Sequence, residues 1–165
     1  MTIGKEAHLM KSQLSDRSRV RIPPPLIFIG AFVASRFLQS RMPVPLLPNK
    51  GRTRLGLVLI GGASTIATFA ARTLRRAGTD ISPMRPTTTL VVEGPYRFTR
   101  NPLYLALTLF YAGLTVLANT FWGALLLPVV LVLVNRGVIE REERYLERKF
   151  GEQYMQYKER VRRWL

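Results

Sequence analysis

The sequence predicts an all-α polytopic membrane protein with about four transmembrane helices and a C-terminal interfacial amphipathic helix. Three observations carry that prediction. The chain's 25 Lys plus Arg and 10 Asp plus Glu are segregated, so that residues 55–71, 102–118 and 121–134 contain no charge at all. Basic residues gather directly beside these runs. Beyond residue 149, aromatic and apolar positions recur at helical spacing among basic ones. A length of 165 residues and a mean hydropathy of +0.08 would by themselves describe an ordinary single soluble domain. Segregation overrules that average, although runs this short sit near the roughly 17 to 20 residues a span needs and rely on tilt or snorkelling flanks.

Residues 1–21 form a basic N-terminal tail carrying Lys5, Lys11, Arg17, Arg19 and Arg21. The tail lacks a short apolar core followed by small residues, so it does not read as a signal peptide. Residues 22–165 are expected to form one membrane-embedded domain. Pro23, Pro24 and Pro25 give a rigid entry to the first apolar run, 26–38, whose Arg36 lies close enough to the end to snorkel. A proline-punctuated loop, 40–54, leads to the second run, 55–74. There Gly56, Gly61, Gly62, Ala63 and Ala67 are small enough to let a neighbouring helix backbone approach.

A long polar connection, 75–99, follows. Its β-branched piece, 87–92, has extended character, and the chain then turns at Glu93, Gly94 and Pro95. Pro102 suits the first turn of a third helix, where its missing N–H costs nothing. That helix should run to about Leu117, turn at 118–120 and return from Phe121 as an antiparallel partner. Trp122 marks the far interface, and Pro128 predicts a kink. After Val134 the helix is expected to continue out of the bilayer. Phe150, Tyr154, Tyr157, Val161 and Trp164 then form one apolar stripe, which either lies in the lipid interface or packs on the protein itself.

Orientation follows from the basic residues. The tail holds 5 Lys and Arg, the 72–101 connection 6 and residues 136–165 hold 9, against 4 in the loop between the first two spans and none in the hairpin turn. Both termini are therefore expected in the cytoplasm. The net charge of +15 admits nucleic acid or anionic lipid as a partner. Because the basic residues flank apolar runs and form no aromatic-interleaved stripe, the pattern favours lipid headgroups and excludes nucleic acid. The absence of cysteine removes thiolate nucleophiles, disulfides and thiolate metal sites, and the single histidine, His8, lies in the polar tail. No metal site is expected. Chemistry must come from Tyr, Asn, Arg, Glu or the backbone.

Two polar clusters flank the uncharged hairpin. One is GPYRFTRNPLY, 94–104; the other runs from Arg136 to Glu147. An antiparallel hairpin returns its two ends to one boundary, so the clusters are expected to meet. Glu140 and Glu147 read as parts of a solvated helix laced by i,i+4 pairs. Glu142 and Glu143 lie nearer the membrane exit, where an unpaired carboxylate is costly, so a cation is expected beside them: Arg97, Arg100 or a ligand ammonium. Taken singly, Tyr96, Arg97, Arg100 and Tyr104 read as interfacial anchors; in conjunction with Gly94-Pro95 and Asn101-Pro102 they suit a heteroatom-rich ligand.

GPYRFTRNPLY, a helical hairpin and then EERYLERKFGEQYMQYKERVRRW, in this order and spacing, resemble the membrane-embedded methyltransferases typified by isoprenylcysteine carboxyl methyltransferase and phospholipid N-methyltransferases. The resemblance covers roughly residues 88–164, the expected core of the site. It implies S-adenosylmethionine as methyl donor, held at the cytosolic ends of the last two spans, and a lipophilic or amphipathic acceptor. No G-x-G-x-x-G sequence is present. The cofactor contacts it implies are Leu90, Val91, Tyr96, Asn101, Pro102, Leu103, Tyr104 and Glu142. Asn101 stands where the best-known members have histidine, and an amide can keep a hydrogen bond but cannot titrate. Arg136 falls in the arginine region before the glutamates, which implies contact with an anionic acceptor. Two other readings compete: a sterol-type reductase using NADPH, which shares a similar Arg-x-Pro-x-Tyr segment, and a non-catalytic module that binds anionic lipid.

Overall fold

A computed structural model describes residues 23–81 and 87–165. The basic tail with His8, and Arg85 in the long connection, lie outside the described residues. The described chain is helical, in the order α1 (Pro24–Arg41), α2 (Arg52–Arg76), a 3₁₀ turn (Gly94–Arg97), α3 (Pro102–Ala118) and α4 (Phe121–Val134). A π-helical turn (Asn135–Ile139), α5 (Glu140–Phe150) and α6 (Glu152–Arg160) follow. No strand occurs among the described residues, and 87–92 is irregular.

Among the described residues, two helices are long and apolar enough to cross a membrane: α2, and the continuous helix Phe121–Phe150 that joins α4, the π turn and α5. The α3 helix is apolar but shorter. Their outward side chains are those a lipid solvent requires. Leu57, Val58 and Phe69 on α2, and Leu125, Val129, Val132 and Leu133 on α4, are exposed, as are Leu26, Ile29, Val33 and Phe37 along α1. In water such a surface would demand a partner; in hydrocarbon it costs nothing.

The most extensive helix contact is α2 on α3, with α1 packed on α4. Small residues explain the first. Gly56, Ala63 and Ala70 recur every seventh position and are buried. Gly113 faces them so closely that a Cβ there would lie 3.0 Å from the Gly56 carbonyl oxygen and 2.7 Å from Ile60 Cγ1. Gly61 and Gly62 face open space and take no part. Around Tyr111, Phe28 and Phe32 make edge contacts, and the Tyr111 hydroxyl donates to the Gly123 carbonyl at 3.0 Å.

The end of the bundle away from the two polar clusters is tied by hydrogen bonds to a single corner. Asn119 takes the left-handed conformation at φ 51°, and its Oδ1 accepts from the Leu46 and Leu47 amides at 3.0 and 2.9 Å. Trp122 Nε1 donates to the Met42 carbonyl at 2.8 Å. Arg36 and Arg52 donate to the Ala118 and Leu117 carbonyls, placing two cations at the negative end of α3. Arg36 therefore caps a helix as well as reaching the boundary.

Pro128 lies inside α4 on its exposed side, and the helix runs on to a π turn that the periodicity did not announce. One expectation changes. The predicted C-terminal interfacial helix is broken. Gly151, at φ 52°, ends α5 and starts a new helix, and Val161 is already extended. Tyr154 and Tyr157 are buried, and Trp164 packs against the bundle core, so most of the stripe meets protein.

Candidate functional site

Gly94 begins the site. Its φ of 58° suits glycine, and a Cβ there would come within 2.8 Å of Thr73 Oγ1, so the turn lies directly on the end of α2. Pro95 fills the second position of the 3₁₀ turn, which buries Tyr96. The connection upstream is held beside it: Thr88 N–H donates to Thr79 Oγ1 at 3.1 Å, and Thr87 N–H to the Tyr145 hydroxyl at 3.2 Å. Asn101 and Pro102 then start α3.

These segments, α5 and α6 enclose a cavity of about 690 Å³. Leu90, Val91, Tyr96, Asn101, Pro102, Leu103, Tyr104 and Glu142, the eight residues singled out in the sequence, all line it. Tyr104 O–H donates to Glu142 Oε2 at 2.8 Å, joining the two polar clusters directly. The opposite wall is apolar and lies along the membrane helices: Ala63 and Ala67 from α2, Ala106, Leu107 and Phe110 from α3, and Pro24 at the start of α1.

Arg136 is elsewhere. It is exposed on the π turn and borders a separate, smaller pocket with Thr108, Leu131, Val132, Asn135 and Trp164. The π turn accommodates one extra residue and rotates the following helix by roughly 100° relative to continuous α-helix. A helical count across it therefore misplaces Arg136 relative to Glu142.

Glu143, only 5% exposed, is the electrostatic centre of the site. Arg163 grips it through Nε at 3.1 Å and Nη2 at 2.6 Å, and places Nη1 3.2 Å from Asn135 Oδ1. Arg100 Nη2 lies 3.3 Å from Glu143 Oε1. Asn135 in turn donates to Glu140 at 3.2 Å. The hydrogen bond to Glu143 holds the Arg163 guanidinium above its ordinary pKa. Arg100 thus answers the expected need for a cation beside the glutamates, at Glu143, whereas Arg97 is exposed.

The C-terminal segment crosses this cluster as a strap. Arg100 N–H donates to the Arg162 carbonyl at 3.0 Å. The Arg163 carbonyl accepts from Thr99 Oγ1 at 3.0 Å and from Asn101 Nδ2 at 2.9 Å. Tyr157 O–H donates to the Tyr96 carbonyl at 2.7 Å. Burial pushes the Tyr96, Tyr154 and Tyr157 phenols well above their ordinary range, with Glu142 adding to the effect at Tyr96. They are neutral hydrogen-bonding groups, not phenolate bases. Arg162 and Arg163 were missed in the sequence because basic residues near a chain end read as a solvated face, and Thr99 because its partner is a backbone carbonyl of that segment.

A family model described as phospholipid methyltransferase matches residues 52–153, which include both polar clusters and the hairpin between them. An uncharacterised protein from Haemophilus influenzae is 40% identical over 63 residues, 38% of this chain and 100% of that relative. A protein-S-isoprenylcysteine O-methyltransferase from Schizosaccharomyces pombe is 35% identical over 72 residues, 44% of this chain and 30% of that relative. The chain thus matches less than a third of the yeast protein's length. No solved structure matches significantly.

Removing Glu143 leaves two guanidinium groups facing a buried gap, the situation in which breaking an ion pair costs about 3 to 5 kcal/mol. Glu143→Ala is expected to lose stability of that order in detergent and to expose the strap to trypsin at Arg160, Arg162 and Arg163. A loss below about 1 kcal/mol with an unchanged tryptic pattern would mean the cluster is ornamental.

Proposed function

The chain belongs to the phospholipid methyltransferase family, and we propose that it transfers a methyl group from S-adenosylmethionine to a lipophilic or amphipathic acceptor, a carboxylate or an amine, at the cytosolic membrane face. The observation that carries this reading is the Tyr104 to Glu142 hydrogen bond inside a cavity polar at one end and apolar along the other. The resemblance to isoprenylcysteine and phospholipid methyltransferases, and the match to the yeast relative named for isoprenylcysteine O-methylation, support it.

The residues present suit the cofactor. A cavity of this size falls within the usual range for small-molecule sites, about 300 to 1,000 Å³. When bound, adenosylmethionine supplies a methyl group already activated on a sulfonium, so no protein nucleophile is required. Glu142, oriented by Tyr104, offers a carboxylate to a cationic group. Tyr96 and Tyr104 bring aromatic rings to the same space, where their faces attract a cation. Asn101 commits its amide nitrogen to the strap, which leaves its carbonyl oxygen to accept from a ligand. Leu90, Val91, Pro102 and Leu103 add apolar wall.

Tyr154 and Tyr157 of α6 line the polar end and leave less room for water there, and the alanine-rich wall along α2 and α3 suits an acyl or prenyl chain. A carboxylate acceptor needs no proton removed; the protein's work is alignment and exclusion of water. We propose that Arg136, which lies outside the cavity, meets an anionic headgroup at the membrane surface.

We read residues 22–165 as one domain with its site in 88–164, spanning the bilayer four times with both termini cytoplasmic. α1 and α3 complete the count by pairing with the two longer helices. Charge segregation and the exposed apolar side chains support this arrangement.

Glu142→Gln and Tyr104→Phe should each weaken adenosylmethionine binding by about 1 to 3 kcal/mol in calorimetry, the scale for losing a charge-assisted hydrogen bond or stranding its partner. Unchanged affinity in both would remove the site assignment. For orientation, the absence of native cysteine allows single-cysteine labelling at two exposed positions. Cysteine at Pro48 should react with an impermeant thiol reagent on intact cells, and cysteine at Gln156 only after permeabilisation. The reverse pattern would invert the topology.

A further inference from the structure

The lipid-facing side of α4 ends at a cation that pairs with nothing. Val129, Val132 and Leu133 are exposed along that side. Arg136 follows Leu133 at i,i+3 and Val132 at i,i+4, which carries the same column out to the membrane boundary. It is exposed and makes no hydrogen bond or ion pair among the described residues. It borders a pocket of about 430 Å³, lined also by Thr108 on α3, Leu131 and Val132 on α4, Asn135 on the π turn and Trp164 in the strap. None of these residues lines the cavity that contains Tyr104 and Glu142.

The walls divide by chemistry. Leu131 and Val132 offer apolar contact, and Val132 is 51% exposed toward the bilayer. Trp164, partly buried against the bundle core, brings an indole to the membrane boundary, where tryptophan concentrates. The neutral polar groups are already engaged. Asn135 donates its amide to Glu140 and accepts from Arg163, and the Thr108 hydroxyl donates to the Tyr104 carbonyl. Glu140 and Arg163 offset each other at 4.0 Å. Arg136 therefore supplies the charge of the lining, and an occupant must combine an anionic head with an apolar tail. A guanidinium beside hydrocarbon is costly without a partner, and the cytoplasmic leaflet carries anionic headgroups.

We propose that this pocket binds an anionic phospholipid of the surrounding bilayer, with its phosphate on Arg136, an acyl chain along Leu131 and Val132, and Trp164 beside its glycerol. This lipid is held at the protein surface and is not the methyl acceptor, since the pocket and the cavity share no lining residue. Trp164 directly follows Arg163, so the lipid covers the outer side of the strap that Arg163 ties to Glu143. The inference names the headgroup partner of Arg136 and requires neither adenosylmethionine nor methyl transfer.

Fluorescence quenching by brominated lipids tests it. The other tryptophan, Trp122, lies at the opposite end of the bundle, so a Trp122→Phe background leaves Trp164 as the reporter. The full chain is reconstituted in phosphatidylcholine without cofactor or acceptor, and phosphatidylglycerol or phosphatidylcholine brominated near the headgroup end of one acyl chain is titrated in. Phosphatidylglycerol should quench Trp164 at a mole fraction roughly fivefold lower, the effect of one basic contact at the surface. Arg136→Gln should remove the difference and Arg136→Lys should keep part of it. Arg148→Gln, at an exposed cation of α5 outside the pocket, should leave it unchanged. The wild-type chain, with both tryptophans, should show the same difference at smaller amplitude, which keeps the test decisive if Trp122→Phe does not fold. Equal quenching by the two lipids overturns the proposal. So does a preference that survives Arg136→Gln, or one lost equally in Arg148→Gln, which would reduce it to general surface charge. Relief of quenching by inorganic phosphate at constant ionic strength would assign the pocket to a soluble oxyanion and overturn the lipid reading. Because no adenosylmethionine is present, failure of the methyl-transfer reading would leave this result standing.

Discussion

One buried carboxylate organises the cytosolic-side architecture proposed for this protein. Glu143 on α5 is held by Arg163 from the C-terminal strap and touched by Arg100 from the segment that opens α3. Three pieces of chain distant in sequence are therefore joined at one charge. Burying an ion is unfavourable unless it is paired and hydrogen-bonded, so the pairing must be complete in any state that keeps α5 against the bundle. The rest follows outward from it: the strap carbonyl at Arg163 is positioned for Thr99 and Asn101, and Glu142, one residue before Glu143, is brought to Tyr104. Neighbouring glutamates thus do different things. Glu143 assembles the site, and Glu142 faces the space it encloses.

The membrane part supplies rigidity by another route. With lipid as solvent, apolar burial between helices gains little, and close backbone approach through small residues matters more. Gly56 against Gly113 provides that approach between α2 and α3. The same small-residue economy leaves Ala63, Ala67 and Ala106 as the thin apolar wall of the cavity. Packing and the room for a lipophilic ligand are consequences of one composition. At the opposite end, Arg36 and Arg52 satisfy carbonyls of the α3 terminus and Asn119 accepts from the 46–47 loop, so the hairpin is fixed at both ends.

Much of this was legible in the sequence. Charge-free runs and Pro102 located α2, α3 and α4 because the bilayer admits few alternatives for such segments. The eight proposed contact residues converge because an uncharged hairpin must return its flanks to the same end. What sequence periodicity could not reveal was local geometry that breaks periodicity. The π turn shifts the helical count at Arg136, and Gly151 splits what looked like one amphipathic helix. The strap was hidden for an electrostatic reason: Arg162 and Arg163 resemble any solvated basic terminus until a buried carboxylate is known to await one of them. Among the small residues, Gly56 and Gly61 are indistinguishable by type, and only the crossing of α2 and α3 decides which one matters.

The methyl donor is proposed to bind in the cavity bounded by Tyr96, Tyr104 and Glu142. Ultraviolet cross-linking of methyl-labelled adenosylmethionine to the solubilised full chain, followed by peptide mapping, tests it most directly. The label should fall within residues 87–104 or 140–157 and should be displaced by excess S-adenosylhomocysteine. Displaceable label on the Leu131, Arg136 and Trp164 pocket instead, or label that S-adenosylhomocysteine does not compete away, would contradict the assignment.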